Sequence, residues 1–197
     1  LKDIPAGNEY SYLETPVTKV LVAPYDAKQI YMAQISNLDK KYDPAIEPIR
    51  ALYDEYFGGG MNSIVFQEMR ETRGLAYSAW ASIMPPSYLK YPYVLRTQIA
   101  TQNDKMIDAV TTFNDIINNM PESEAAFKLA KDGLTNRLRT ERIIKGDIIW
   151  SYINAQDLGQ NVDPRIKLYN DIQNMSLKDI ADFQKQWVKG RTYVYCI

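Results

Sequence analysis

The sequence predicts an α+β domain in which helices cover a largely antiparallel mixed sheet. Short β-branched segments occur near both ends of the chain, a pair of alternating segments lies in its middle, and five helical segments follow residue 103. Strands and helices that are grouped along the chain in this way are typical of α+β architecture. The 197 residues, 46% of them hydrophobic and 24% charged, suffice for one domain with its own core.

The N-terminal part of the chain predicts a linker followed by a β-hairpin. Residues 1–15 are polar and contain Pro and Gly, so we expect a linker there and a domain over 16–197. Segments 17–22 and 29–35 read as strands, and Pro and Asp at 24–26 indicate the turn of a hairpin. The chain does not begin with Met, which indicates a processed chain or a segment of a longer one.

Two helices are predicted next. The first begins with Asp43 as N-cap and a proline in its first turn, and apolar residues recur at three- and four-residue spacing over 43–57. The glycines at 58–60 end it. The second helix runs from residue 62 or 63 to about 72, and Gly74 ends it. Its apolar side chains are expected in the core: Ile64, Val65, Phe66 and Met69.

The remainder of the chain predicts two strands, five helices and a terminal strand. The two strands span 75–84 and 91–100 and are joined by a loop that contains two prolines. The helices and the last strand follow in order: 104–119, 122–143, 147–158, 164–174, 177–188 and 191–197. Ser176 and Asp179 have the spacing of a capping box.

Composition excludes several classes of function. The net charge is −1, which indicates no bulk attraction to nucleic acid, and no run of about 18 apolar residues could span a membrane. Cys196 is the single cysteine, so an internal disulfide and a multi-cysteine metal site are excluded. The chain has no histidine, which catalytic zinc sites and Ser-His-Asp or Cys-His catalysis nearly always require.

Three consecutive glycines stand between the first two predicted helices. A phosphate-binding loop needs a strand before its glycines and a Lys with Ser or Thr after them, and Met61-Asn62-Ser63 supplies no Lys. No G-x-G-x-x-G spacing follows a strand either. We therefore expect a turn between two helices, in which Gly58 ends the first helix in a left-handed conformation and Asn62 or Ser63 caps the second.

Arg70 and Tyr77 are the candidate site residues. Arg70 lies near the predicted end of the second helix, and Tyr77 lies seven residues later near the start of a strand. Arginines near helix C-termini are usually solvated, but this junction can bring a guanidinium and a phenol to one point. Both groups donate hydrogen bonds, so the pair suits a carbonyl oxygen or a developing oxyanion.

The segment FGGGMNSIVFQEMRETRGLAYSAWA resembles the signature of the insulinase/pitrilysin zinc metallopeptidases, the inverzincins. Domains of that family carry a glycine elbow, a helix with a pattern like S-x-x-[LV]-F-Q-E-[LM]-R-E, and then R-G-L-A-Y-S. The elements before and after this segment also follow the family's order, so the resemblance covers nearly the whole chain. It implies the metallopeptidase/LuxS-like half-domain fold.

In that family two similar domains make one unit. The N-terminal type binds zinc through H-x-x-E-H and a downstream Glu, whereas the other type lacks the zinc ligands and faces the metal across a chamber. The second type supplies an Arg and a Tyr, seven residues apart, which hold the substrate backbone and stabilise the tetrahedral intermediate. By position Arg70 and Tyr77 match that pair. Arg73 is the competitor, but its spacing to Tyr77 does not fit.

This chain resembles the non-catalytic type. The segment where the zinc motif would lie reads LDKKYDPAIEPIRALYDEY and contains no histidine. Asp54 and Glu55 do not replace it, because a carboxylate cluster prefers Mg²⁺ or Ca²⁺ and acidic residues on a helix surface are usually solvated. The resemblance therefore implies that this chain holds no cofactor and that a partner domain binds the zinc.

The predicted strand at 75–84 alternates, with Tyr77, Ala79, Ala81 and Ile83 on one face. If its edge is open, a peptide can add to it as a further strand, which is how the family is thought to hold substrates. The other expectation is that a neighbouring strand covers this edge.

These features favour a non-catalytic domain of a zinc metalloendopeptidase. Such a domain binds peptide substrate and stabilises the oxyanion opposite a zinc site, which lies in another domain of the same polypeptide or in a separate subunit. The alternative is a proteolytically inactive scaffold or peptide-binding domain of the same family. An H-x-x-E-H motif in the rest of the gene or in a neighbouring gene would distinguish the two. An independent enzyme is disfavoured, because the chain offers no histidine and no recognisable carboxylate pair.

Overall fold

The computed structural model describes residues 13–197, in which seven α-helices accompany a five-stranded mixed sheet of order β1-β5-β2-β4-β3. The strands are β1 (Lys19–Leu21), β2 (Gln29–Lys41), β3 (Ser78–Met84), β4 (Pro92–Gln102) and β5 (Val194–Cys196). The helices are α1 (Glu47–Phe57), α2 (Ile64–Phe66), α3 (Met106–Asn118), α4 (Glu124–Thr140), α5 (Gly146–Asp157), α6 (Pro164–Ile172) and α7 (Leu177–Trp187). A π-helix (Gln67–Thr72) follows α2, and a 3-10 turn (Asn103–Lys105) precedes α3. The predicted α+β class is confirmed.

The sheet is antiparallel in its centre. β4 pairs antiparallel with β2 on one side and with β3 on the other, and β2 also pairs antiparallel with β5. The one parallel pair joins β1 to β5 at the far edge. The pairing of β3 with β4 fixes the position of the segment that follows Tyr77, because Ser78 is opposite Ala100 and Met84 is opposite Val94.

The predicted hairpin between segments 17–22 and 29–35 is wrong. β5 lies between β1 and β2, so that Tyr195 is opposite Val20 on one side and Gln34 on the other. A strand from the end of the chain thus occupies the place expected for the hairpin partner. Local alternation identifies a strand but not its distant partner, and this explains the error.

Side chains from α1, α3, α7 and the inner face of the sheet make up most of the core. The largest fully buried ones are Tyr53, Tyr56, Tyr93, Phe57, Phe113, Met32, Leu38, Leu52, Met69, Ile83, Leu95 and Ile99. Apolar residues that recur every three or four positions put one side of α1 into this core, as the sequence predicts.

Polar contacts inside the core join α1 to α7 and to the segment before α4, and a further contact joins α7 to α3. The Tyr53 hydroxyl donates to Oε1 of Gln184 on α7, and Nε2 of Gln184 donates to the Ile117 carbonyl on α3. The Tyr56 hydroxyl accepts the Ser123 N–H at 3.0 Å. Because buried polar groups are costly unless they are paired, these bonds fix how the helices pack. α1 is therefore held firmly, and it is the element that reaches the edge of β3.

Two helix boundaries differ from the prediction by three or more residues. α1 begins at Glu47, because the Asp43 carboxylate accepts the Ala45 N–H at 2.8 Å and so holds a separate turn before the helix. α4 ends at Thr140 instead of at residue 143.

Residues 1–12 of the predicted linker lie outside the described residues. Thr15, at its predicted end, is buried, and its hydroxyl accepts the Asn37 N–H at 3.1 Å. Across residues 13–197 every helix is either too short or too polar to cross a bilayer.

Candidate functional site

The helix that carries Arg70 has a defined start and end. The Ser63 hydroxyl accepts the Phe66 N–H at 3.4 Å, so Ser63 caps α2, which is one of the two predicted caps. The chain then continues as the π-helix, a wide turn of a type that is rare and frequently found at functional sites. Gly74 ends it at a φ of 57°, a left-handed value that glycine adopts without a Cβ penalty.

Backbone hydrogen bonds tie the end of this helix to the start of the strand. The Met69 carbonyl accepts the N–H groups of Leu75 at 2.8 Å and Ala76 at 3.2 Å. The Tyr77 N–H then donates to the Ala100 carbonyl on β4 at 2.8 Å. Hydrogen bonds to the helix on one side and to β4 on the other therefore fix the position of Tyr77 relative to the helix.

Arg70 and Tyr77 are brought together. The central guanidinium carbon of Arg70 is 5.6 Å from the centroid of the Tyr77 ring. At this distance the cation is within the range of attraction to the face of an aromatic ring. The Arg70 side chain is 46% exposed and Tyr77 is 69% exposed, so both groups are open to solvent.

Tyr77 does not share the face that the alternation predicted for it. Ala79, Ala81 and Ile83 are buried, whereas Tyr77 is exposed. The reason is that β3 begins at Ser78, so Tyr77 belongs to the connection before the strand and does not follow its alternation.

Phe66 is a third member of this site, and sequence reasoning assigned it to the core. Its ring is only partly buried, and the ring centroid lies 5.1 Å from the guanidinium carbon of Arg70. Phe66 and Arg70 are four residues apart, a spacing that places side chains next to each other on a helix. That spacing was the signal available in the sequence.

Arg73, the competing arginine, has a different partner. Its guanidinium forms an ion pair with the carboxylate of Glu68. Arg70 has a looser ionic contact, with 3.6 Å between its Nε and Oε1 of Glu71. Within the described residues, Arg70 is the arginine whose guanidinium contacts the Tyr77 ring.

β3 is an edge strand among the described residues, but much of its outer edge is covered. The Ile83 N–H donates to Oδ1 of Asp54 at 2.8 Å, and Nη1 of Arg50 donates to the Ile83 carbonyl at 3.1 Å. The Ala81 N–H points to the Gly58 carbonyl at 3.5 Å. The cover is thus α1 and the glycine turn, not a neighbouring strand, and it blocks addition of a peptide strand along Ala81–Ile83.

The expectation that Asp54 is a solvated helix-surface acid is wrong. Its side chain is 16% exposed and accepts hydrogen bonds from Ile83 N–H, Ser82 Oγ and Arg50. Burial raises the pKa of Asp54 to about 6, and Arg50 and the two other donors oppose that rise only in part. Glu55, its neighbour, pairs with Arg137 at 2.8 Å.

Gly58 ends α1 with a φ of −142°, so the expected left-handed conformation is wrong. Glycine is required there for another reason. A Cβ at Gly58 would lie 2.3 Å from the Ala81 carbonyl oxygen and 2.5 Å from the Ala81 nitrogen, both of them backbone atoms. The glycine turn therefore lets the end of α1 approach the backbone of β3.

Metal-ligating side chains do not converge in the described part of the chain. Across residues 13–197, no three or more His, Cys, Asp or Glu side chains are grouped so that they could hold a metal ion. The full sequence has no histidine. Arg70 and Tyr77 contribute a guanidinium and a phenol to this surface, and both groups can donate hydrogen bonds.

Comparisons with known proteins identify the family. A sequence model of one protein family, described as "Peptidase M16 inactive domain", matches residues 14–134. This is more than half of the 197 residues. One similar solved structure is that of the peptidase M16 inactive domain from Pseudomonas fluorescens, which is 16% identical to this chain in sequence. The two superpose with a TM-score of 0.76, over 98% of this chain and 47% of that one. A protease from Helicobacter pylori has 11% identity and a TM-score of 0.74 over 100% and 48%.

A third similar structure is a single domain. It is the inactive peptidase domain of a candidate zinc protease from Bordetella parapertussis, with 12% identity and a TM-score of 0.67 over 86% of this chain and 92% of that one. No curated protein matches this chain.

The chain spans about half the length of the Pseudomonas and Helicobacter structures. At these identities the structural likeness shows a shared fold, while the family model depends on the sequence itself. Both agree with the resemblance found in the segment that contains Arg70 and Tyr77. The chain belongs to the peptidase M16 family and is one of its inactive domains.

Proposed function

We propose that this domain holds the backbone of a peptide substrate and stabilises the oxyanion of peptide hydrolysis through Arg70 and Tyr77. The observation that carries the proposal is the contact between the two side chains, with the Arg70 guanidinium 5.6 Å from the centroid of the Tyr77 ring and both groups exposed. Two convergent donors suit a peptide carbonyl, and they suit the negatively charged oxygen of the tetrahedral intermediate better, because hydrogen bonds to a charged acceptor are stronger.

Preorganisation supports this role. Phe66 and Tyr77 both contact the Arg70 guanidinium, and backbone bonds fix the connection between helix and strand. Donors that are already in place need little reorganisation as charge develops, and this is the main source of transition-state stabilisation by such groups.

The zinc belongs to a companion half in this proposal, on the same polypeptide or on a separate subunit. Bound there, zinc would supply the Lewis acid and the activated water. The domain described here would supply only the opposing donors. Its own peptide site would lie at the Arg70 surface, since α1 covers β3 along Ala81–Ile83.

The test is the Tyr77→Phe substitution in the complete zinc-containing enzyme. We expect kcat for a peptide substrate to fall by about 10- to 1,000-fold, the scale of losing one transition-state donor, while KM changes little. Tyr25→Phe is the matched control, because Tyr25 is also exposed but lies in the loop between β1 and β2.

The two arginines provide a second comparison. Arg70→Lys should also lower kcat, because an ammonium group does not reproduce the flat, multiply donating guanidinium, whereas Arg73→Lys should have a much smaller effect. A wild-type kcat in Tyr77→Phe would remove Tyr77 from the mechanism. An assembled complex that contains no zinc half would favour the scaffold function instead.

A further inference from the structure

α5 differs from the other six α-helices described in residues 13–197 because none of its residues is buried. It is nevertheless rich in large apolar side chains, and no charged residue occurs from Ile148 to Gln156. Its exposed apolar residues are Ile148 at 56%, Ile149 at 63%, Trp150 at 65%, Tyr152 at 65% and Ile153 at 37%. Exposed apolar side chains that cluster on one surface typically mark a site of interaction with a partner.

The apolar residues of α5 lie on two faces. Ile148, Tyr152 and Ala155 line a cavity of about 520 Å³ that lies between α5 and the segment at 160–165. Ile149, Trp150 and Ile153 do not line this cavity and form an outer face. The inner face is therefore incompletely filled, and the outer face is uncovered.

The chain enters α5 through a strained residue. Lys145, which precedes the helix, has a φ of 53°, a left-handed value that is unfavourable for a residue with a Cβ. Such conformations persist where surrounding contacts hold them. A helix of this length is also marginal in water without tertiary packing. Because its large apolar side chains are exposed, α5 receives little packing from the described part of the chain.

We propose that α5 is the docking element for the companion half-domain, with its outer face (Ile149, Trp150 and Ile153) buried against an apolar surface of that partner. Two observations favour this occupant. The Pseudomonas and Helicobacter structures contain the fold of this chain and about as much chain again. An uncharged, strongly apolar surface is typical of permanent interfaces, which resemble a domain core cut in half, whereas transient contacts are more polar.

The identity of the partner rests on the proposed function, but the docking test does not depend on catalysis. Amide hydrogen exchange at residues 146–157 is compared between this chain alone and the same chain joined to, or mixed with, its zinc-bearing companion half. We expect exchange to slow at least 10-fold in the presence of the companion half, because α5 gains a packed partner. Equal exchange in the two samples would overturn the proposal.

Two other outcomes would also overturn it. Protection of α5 that appears in this chain alone and grows with its concentration would show that the occupant is a second copy. Protection that appears only when a peptide substrate is added would show that α5 is part of the peptide site.

Matched variants locate the surface. Ile149→Glu with Trp150→Glu should abolish the protection and weaken association of the halves at least 100-fold by titration, because two charges would enter an apolar interface. Leu129→Glu on α4, which is 54% exposed, is the control and should leave both unchanged. Unchanged association in the double variant, with an unchanged circular dichroism spectrum, would also contradict the docking role. Tyr77→Phe affects kcat without affecting association, so the two proposals can fail separately.

Discussion

At the scale of single residues, the carboxyl group of Asp54 connects stability to pH. It is buried at the edge of β3, where it accepts from Ile83 N–H and Ser82 Oγ and pairs with Arg50. Burial is the largest influence on its pKa, which rises from 3.8 to about 6. The folded state therefore binds this proton more tightly than the unfolded state does, and ionisation of Asp54 reduces the stability of the fold.

The sign of this effect can be measured. The contribution of Asp54 to the free energy of unfolding is fully present below pH 3.8 and is lost as the pH rises to about 6. From the size of the shift, the loss is about 3 kcal/mol. Urea unfolding of wild type and Asp54→Asn at a series of pH values should show the difference between them changing by that amount between pH 4 and 7.

Asp182 provides a control with the opposite sign. A hydrogen bond from Lys178 lowers the pKa of Asp182 below its ordinary value of 3.8. This carboxylate therefore adds stability that is lost as the pH falls below 3.8. Asp182→Asn should therefore leave the pH dependence above about 4 unchanged. A difference between wild type and Asp54→Asn that stays constant from pH 4 to 7 would show that Asp54 does not titrate in this range.

At the scale of elements, the glycine turn sets how closely α1 approaches β3. Gly58→Ala would place a methyl group against backbone atoms of Ala81, which cannot rotate away. We expect a loss of about 1–3 kcal/mol in the free energy of unfolding, as for other overpacked sites. Gly60→Ala is the control, because no atom lies within 4 Å of the added Cβ. Chemical denaturation checks both variants, and equal stability of the two would contradict the close approach.

Helices and turns whose ends are set by nearby residues could be predicted from the sequence, whereas the pairing of strands that are far apart in the chain could not. The capping box of Ser176 and Asp179 is present at the start of α7, as its spacing predicted. In contrast, the position of β5 between β1 and β2 depends on residues more than 150 positions apart. Local sequence patterns predict helix starts and turns, whereas long-range packing decides the order of strands in a sheet.

The candidate site was predictable to the same degree. The seven-residue spacing of Arg70 and Tyr77 identified a pair that the structure brings into contact. The contact of Phe66 and the departure of Tyr77 from the alternation of β3 were missed, because both depend on where the π-helix and β3 begin and end. Asp54 was missed because hydrophobic periodicity does not reveal an acid that closes a strand edge.

At the scale of the whole molecule, residues 13–197 present the Arg70 and Tyr77 donors but no group of three or more side chains that could hold a metal ion. We expect isothermal titration of Zn²⁺ into this chain alone to show no one-to-one binding, because the sequence has no histidine and no acidic cluster is present in residues 13–197. The chain alone should also lack peptidase activity. A zinc-bearing companion half of the same family serves as the positive control. Tight stoichiometric binding by this chain would contradict its role as the metal-free half.

The local assembly of the Arg70 site has a consequence for how the proposed two halves can be divided between genes. Phe66, Arg70 and Tyr77 lie in one short segment, so their geometry does not require a covalent link to the other half. A linker contributes effective concentration, roughly millimolar when it is short and flexible. If the halves are encoded separately, the affinity of the docking surface has to replace that contribution. Selection after such a split would then act on the proposed docking surface of α5, while the donors themselves stay unchanged.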